Sequence, residues 1–262
     1  MRIGFIQTNP VFGQVEANIQ RVWHLARSVS ADILVLPELF ATGYVFKDRD
    51  ELEGFAEKAG DGIISRNLME MSKELDALVV GGFPERDGSE IYNSAMAALP
   101  DGSFRIYRKL HLFDREKTMF TPGNLELDVF KFRGAALSMI ICFDWIFPEV
   151  YRTLAIKGAQ IILHPSNLVL PYCQKASFAR AVENRVFIVL TNRTGEECRN
   201  GISLRFTGNS VIYSPTGEIL AQAGEKEECA KVVDINPDLA LNKWITQRNH
   251  ILNDRRPEFY FK

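Results

Sequence analysis

The sequence predicts an α/β fold in which two sheets pack together and are covered by helices. Three observations carry this reading. Short aliphatic runs alternate with amphipathic helical stretches from the first residues onward, two hairpin signals interrupt the alternation, and no repeat, low-complexity tract or Pro/Gly/Ser-rich linker divides the chain. Alternating strands and helices call for helices laid on a sheet, and the hairpins add antiparallel strands that suit a second sheet. With 262 residues, 46% of them hydrophobic, the chain has enough apolar surface for one large domain over residues 1–262.

The elements follow in order. Ile3 to Gln7 reads as a strand, and a helix is expected from about Glu16 to Val29. Ile19, Val22, Trp23, Ala26 and Val29 recur there at three- and four-residue intervals, so one face is apolar and packs on a sheet. His24 falls beside that stripe and reads as a partly exposed helix-face histidine. Ile33 to Leu36 is the next strand, Ile63 to Leu75 the next helix, and Ala77 to Phe83 a strand ending in a turn over Glu85 to Ser89. Tyr92 to Leu99 and Phe104 to Tyr107 flank Pro100-Asp101-Gly102, where Pro presets one turn dihedral and Gly tolerates positive φ. Ser214-Pro215-Thr216-Gly217 repeats that logic between Ser210 to Tyr213 and Glu218 to Ala221. Further strands are expected at Leu125 to Phe132, Ala135 to Ile141, Ile161 to His164, Phe187 to Thr191 and Ala230 to Asp234, with helices at Pro148 to Lys157 and Tyr172 to Asn184. The polar segment Asn242 to Lys262 ends in Phe259-Tyr260-Phe261, and such an aromatic tail is expected to dock, on a second subunit for example.

Composition narrows the function classes. The formal charge of -2, from 31 basic and 33 acidic residues mixed along the chain, lacks the basic excess that neutralising many phosphates requires, so nucleic acid is not an expected partner. The longest strongly apolar stretch, Ala135 to Phe143, is far below the ~18 residues of a membrane span, so no bilayer-crossing segment is expected. The N-terminus enters a strand-like run at once, without a long apolar signal core, which makes the cytoplasm the expected location. Cys142, Cys173, Cys198 and Cys229 are widely spaced and form no CxxC pair. Cys173, Cys198 and Cys229 read as small buried hydrophobes.

Glu38, Lys109 and Cys142 each follow an apolar run at its carboxyl end, and open α/β folds place their sites beyond the carboxyl ends of strands. Cys142 precedes a helix that Pro148 starts and Gly158 ends. A helix N-terminus and a lysine ammonium together would shift its thiol toward thiolate, whereas standing alone it would read as a core cysteine. Glu38 lies between Leu36 and Leu39, where burial of a carboxylate demands a partner, or it is a solvated loop residue. Lys109, amid Arg105, Arg108 and Arg115, reads by itself as a surface charge. The combination of the three is what points to chemistry.

The sequence resembles the nitrilase superfamily of carbon-nitrogen hydrolases through Leu36-Pro37-Glu38-Leu39-Phe40, Tyr107-Arg108-Lys109-Leu110-His111-Leu112-Phe113 and Ile141-Cys142-Phe143-Asp144. It also does so through Thr42-Gly43-Tyr44, Tyr92-Asn93-Ser94, Thr121-Pro122-Gly123, His164-Pro165-Ser166-Asn167 and the Arg180 to Arg185 helix, so the likeness covers nearly the whole chain. The resemblance implies a four-layer αββα sandwich that pairs into homodimers or larger homo-oligomers. It implies a triad in which Glu38 is general acid/base, Lys109 an oxyanion partner and Cys142 the nucleophile, with the backbone N–H of Phe143 completing the oxyanion site. Glu116 matches a second carboxylate that positions substrate or the lysine. The resemblance places neither His111 nor His164 in the triad, and both read as structural. Tyr44, Trp145, Asn167 and Tyr172 are expected to line the pocket.

Cys142-Phe143-Asp144 differs from the Cys-Trp-Glu of dedicated nitrilases and is similar to amidase and carbamoylase branches, so amide or N-carbamoyl substrates are expected, with nitrile hydrolysis as the alternative. No cofactor or metal is expected. Two further readings stay open. A metal-dependent phosphoesterase sandwich would use Glu38, Asp144, His164 and Asn167, and a binding protein would use none of these catalytically.

Overall fold

The computed structural model describes residues 1–260. The first sheet opens with β1 (Arg2–Gln7), followed by helix α1 (Val15–Arg27) and β2 (Ile33–Val35). A short helix α2 (Arg49–Glu53) and helix α3 (Ile63–Leu75) precede β3 (Leu78–Asp87), β4 (Glu90–Ala98) and β5 (Phe104–Arg108). The second sheet begins with β6 (Phe130–Phe132) and β7 (Ala135–Met139). It continues through helix α4 (Pro148–Ile156), β8 (Ile161–Pro165), helix α5 (Cys173–Asn184) and β9 (Phe187–Thr191). A separate hairpin of β10 (Glu196–Arg199) and β11 (Ile202–Arg205) leaves it before β12 (Val211–Tyr213) and β13 (Ile219–Gln222) complete it. The last strand, β14 (Cys229–Asp234), returns to pair antiparallel with β1.

The two sheets share one pattern. In the order β14-β1-β2-β3-β4-β5, the strands β1, β2 and β3 are mutually parallel and the outer pairings antiparallel. In the order β6-β7-β8-β9-β12-β13, β7, β8 and β9 are mutually parallel, again between antiparallel neighbours. Side chains alternate across a strand, and that alternation assigns the layers. Ile33 and Val35 of β2 face the other sheet, in one cluster with Leu137, Met139, Leu163 and Val189, while Leu34 faces α1 and α3 through Ile19, Val22, Ile64 and Leu68. Val150, Tyr151 and Leu154 of α4 and Ala181 of α5 cover the far side of the second sheet. The result is the αββα sandwich. Each fully buried Ile, Val, Leu or Phe of this core contributes roughly 1.5–3 kcal/mol of transfer free energy.

The structure revises several expectations. Only Phe130–Phe132 of the expected strand over Leu125 to Phe132 is extended in a ladder, because this edge strand pairs with β7 over those residues alone and Leu125 stays exposed. The turn expected over Glu85 to Ser89 shrinks to its far end. Strand β3 runs on to Asp87 because the Glu85 carboxylate is buried across the ladder, accepting from Ser94 and Arg108. The β10–β11 hairpin and α2 were not expected, since their residues are largely polar and carry little periodicity. Cys173 is buried as expected, but Cys198 is exposed on β10 and Cys229 is half-buried. The segment after residue 242 docks partly on its own chain: the Lys243 ammonium donates to the carbonyls of Asn184 and Arg185 at the α5 C-terminus, where a cation suits the helix dipole. Phe261 of the aromatic tail lies outside the described residues. Among the described residues no helix is long and apolar enough to cross a membrane.

Candidate active site

Glu38, Lys109 and Glu116 meet in one buried cluster between the sheets. Glu38 follows β2 and is fully buried, and the chain can turn there because β3 passes with Gly82 against it: a Cβ on Gly82 would stand 2.6 Å from the Glu38 Cα. Lys109 follows β5, 1% exposed, with its backbone pinned by a donated hydrogen bond to Asn93 and an accepted one from Gly123. Its neighbour Arg108 anchors the strand through a two-pronged ion pair with the buried Glu85. The Lys109 ammonium donates to Glu38 Oε1 at 2.7 Å and to Glu116 Oε1 at 2.8 Å. Asn93 Nδ2 also donates to Glu38 Oε1, at 2.7 Å, and Glu38 Oε2 has no partner. Glu116 accepts in addition from the Tyr44 hydroxyl at 2.7 Å and from the Phe113 N–H at 3.0 Å.

These contacts set the charges. Burial by itself would lower the Lys109 ammonium, but Glu116 and Glu38 outweigh it and hold the group above its ordinary range. Burial pushes Glu116 up, with Lys109 pulling it back. Ammonium hydrogens number three, so with two given to carboxylates one remains for a third acceptor.

Cys142 sits three residues beyond β7 with φ at +41°, a left-handed conformation that costs a non-glycine residue of order 1–3 kcal/mol. Two neighbours fix it there. His164 lies with Nε2 3.0 Å from the Cys142 carbonyl oxygen and Nδ1 3.1 Å from the Tyr151 hydroxyl. A carbonyl only accepts, so Nε2 carries the proton and Nδ1 accepts from Tyr151. Burial lowers this imidazole to about 4, keeping it neutral. Asp144 ties the turn to the lysine strand: its carboxylate accepts from Ile141 N–H on one side and from Tyr107 hydroxyl and His111 on the other. His111 also stacks on Phe147 at 3.7 Å. Both histidines are thus tied into the packing, and of the side chains a phosphoesterase would draw on, Asp144 and His164 hold the Cys142 turn and Glu38 is bonded to Lys109 and Asn93.

One expectation about Cys142 is overturned. The thiol is not shifted toward thiolate; burial raises it well above its ordinary value and Glu38 adds to this, while Lys109 and the Asn167 N–H pull the other way. Burial is the first reason, and the single ammonium offsets little of it because it already faces two carboxylates.

A cavity of about 20 Å³ opens at Cys142, lined by Phe113, Phe143, Trp145 and Asn167. Asn167 is 3% exposed and neither atom of its amide has a partner. Tyr44 lies beside Glu116 rather than in this cavity, lining a second one of about 70 Å³ that shares Phe113. Tyr172 lines neither; it is 58% exposed at the start of α5. Sequence reading passed over Asn93 as a partner of Glu38 and Asp144 as a tie. An Asn inside the strand-like run Tyr92 to Leu99 was the available signal, because strands disfavour Asn.

A two-sheet sandwich with a buried carboxylate-lysine-carboxylate cluster and a cysteine at the sheet edge defines a class, the cysteine-bearing hydrolases of carbon-nitrogen bonds. The chain belongs to the carbon-nitrogen hydrolase family, whose model matches residues 2–241. It is 42% identical over the full length of both chains to a nitrilase of Pyrococcus abyssi. It is 32% identical to an (R)-stereoselective amidase of a Pseudomonas species, over 98% of this chain and 92% of the other. Among solved structures it superimposes with a TM-score of 0.81 and 28% identity on an amidase of Nesterenkonia sp. AN1, over 98% of this chain and 94% of that one. That structure is a glutamate-to-glutamine mutant showing covalent addition of the acetamide moiety of fluoroacetamide at its active-site cysteine.

Proposed function

We propose that this enzyme hydrolyses a small amide or N-carbamoyl compound through a thioester on Cys142. The observation that carries the reading is the Glu38 carboxylate, one oxygen held between Lys109 and Asn93 and the other buried without a partner, near a thiol that burial keeps protonated. A protonated nucleophile needs a base, and Glu38 Oε2 is a free one.

Glu38 takes the thiol proton as Cys142 Sγ bonds to the carbonyl carbon. The oxyanion accepts from the remaining Lys109 hydrogen and the Phe143 N–H. Glu38 then passes its proton to the nitrogen, the C–N bond breaks, and ammonia or an amine leaves. Water replaces it; Glu38 removes a proton as the water oxygen adds to the thioester, and collapse returns the proton to sulfur and releases the acid. Glu116 keeps Lys109 in place, and Asn167 offers its unpartnered amide to the substrate. An ammonia-release screen over amides, carbamoyl amines and aliphatic nitriles tests the reading, with Cys142→Ala as control. Turnover of amides that disappears in the variant is expected, and turnover surviving in it would end the proposal.

Nitrile hydrolysis by the same residues is the second reading, favoured by the 42% identical relative that bears the name nitrilase. A homodimer is also proposed: Ile156 and Phe178 on α4 and α5, and Leu241, Trp244 and Tyr260 near the C-terminus, leave apolar surface exposed. Light scattering should give twice the chain mass or more, and a monomer at all concentrations would refute it.

A further inference from the structure

The β10–β11 hairpin forms one wall of the second cavity and is fixed there by buried charge. Across its ladder Glu197 pairs with Leu204 and Arg199 with Ile202, so the four side chains share a face. Two of them anchor it. The Glu197 carboxylate accepts from the N–H groups of Tyr44 and Val45 and from the fully buried Arg193, which lies over the Phe206 ring. Arg199 donates to both oxygens of Glu51 in α2.

The other two, Ile202 and Leu204, face the cavity together with Phe46, Phe113, Met119 and Phe120. Its volume of about 70 Å³ is several times the ~10–15 Å³ needed for one water, which is room for a few carbon atoms. The one carboxylate inside, Glu116, is already engaged by Lys109, Tyr44 and Phe113, and the opposite charges of Asp114 and Arg115 stand at the exposed rim. A charged tail would therefore lose its water there without gaining a partner. Phe113 belongs also to the wall of the Cys142 cavity, so the two spaces adjoin across one ring.

Resting on the proposed amide hydrolysis, we infer that this hairpin-walled cavity is the subsite for the acyl chain, and that the substrates are amides of short, uncharged aliphatic acids.

The test compares acetamide, propanamide, butanamide and hexanamide, with an N-carbamoyl diamine as the charged competitor, in the wild type and in Leu204→Phe, Leu204→Ala and Ser203→Ala. Specificity measured as kcat/KM should rise about fourfold per methylene in the wild type until the cavity is full, the equivalent of burying one CH₂ each time. Leu204→Phe, which fills the space, should shift the preference toward acetamide, and Leu204→Ala should lengthen the preferred chain. Ser203 points to the other face, so Ser203→Ala should leave the profile unchanged and report that the hairpin tolerates substitution. A profile unmoved by Leu204→Phe, or a wild type that prefers the N-carbamoyl diamine, would overturn the inference.

Calorimetric binding of the same amides to Cys142→Ala, with and without Leu204→Phe, separates the two levels. Chain-length-dependent binding without any wild-type turnover would sink the reaction and keep the subsite. Turnover with an unshifted profile would do the reverse.

Discussion

The two sheets are built to one pairing pattern, yet the ends of their strands offer a substrate different surroundings. On the side of the first sheet, Glu38, Lys109, Glu116 and Asn93 are all less than 5% exposed and bonded to one another, with Glu38 Oε2 and Asn93 Oδ1 the exceptions. On the side of the second, Cys142 is held in a left-handed turn and the Asn167 amide has no partner at either atom. The first side arrives organised, with both carboxylates already paired to Lys109; the second presents groups that only a ligand completes. Preorganised charge serves the transition state, and unpartnered polar groups serve recognition. Substitutions on the two sides should therefore fail differently.

Breaking the first side should cost most. Lys109→Ala removes the proposed oxyanion donor, so turnover should fall on the order of 100-fold or more. It also leaves two buried carboxylates without their cation, which should lower unfolding free energy by about 3–5 kcal/mol in denaturant titrations. Near-normal turnover in this variant would take Lys109 out of the mechanism.

How far the sequence foretold the two sides follows from the residue types. Glu38, Lys109 and Cys142 stand out in the sequence because each ends an apolar run, and Glu116 because a likeness in motif marks it. The ties were not legible. Asp144 accepts from residues 33 to 37 positions away, and Glu197 reaches Tyr44 across 153. No local period records such pairings. The charge state of the thiol was not legible because it depends first on how deeply the group is buried and then on how many carboxylates converge, quantities that only the folded arrangement supplies. The hairpin was missed because the polar residues that fasten it resemble those of a loop.

A pH experiment probes the turn that presents Cys142. His164 is neutral in the fold, its value lowered from 6.5 to about 4 by burial. Between those values the unfolded chain binds a proton that the folded one does not, so stability is full above about 6.5 and is lost as pH falls toward 4. The loss attributable to this group is on the order of 3 kcal/mol. His164→Gln keeps a donor for the Cys142 carbonyl without the titration, and should flatten that part of the pH–stability curve. An unchanged slope in urea titrations from pH 8 to 4 would show that other groups set it.

Breaking the second side at Asn167 should be milder. Asn167→Ala removes the amide proposed to make one or two hydrogen bonds to substrate, worth roughly tenfold in KM, and should leave kcat within a few fold. A fall in kcat equal to the fall in kcat/KM would move Asn167 from recognition to the chemical step. Smallest of all, Cys198→Ser should leave turnover unchanged, although exposed Cys198 should react with iodoacetamide before buried Cys142 does.

The thioester itself can be tested by partition. Hydroxylamine added during turnover should divert the acyl group to a hydroxamate, and one acyl-enzyme must divide between water and hydroxylamine in one ratio whatever group left before. The amide and the ethyl ester of the same acid should therefore yield identical hydroxamate-to-acid ratios, with both products absent in Cys142→Ala. Ratios that differ between amide and ester, or hydroxamate formed by Cys142→Ala, would contradict an acyl intermediate on Cys142.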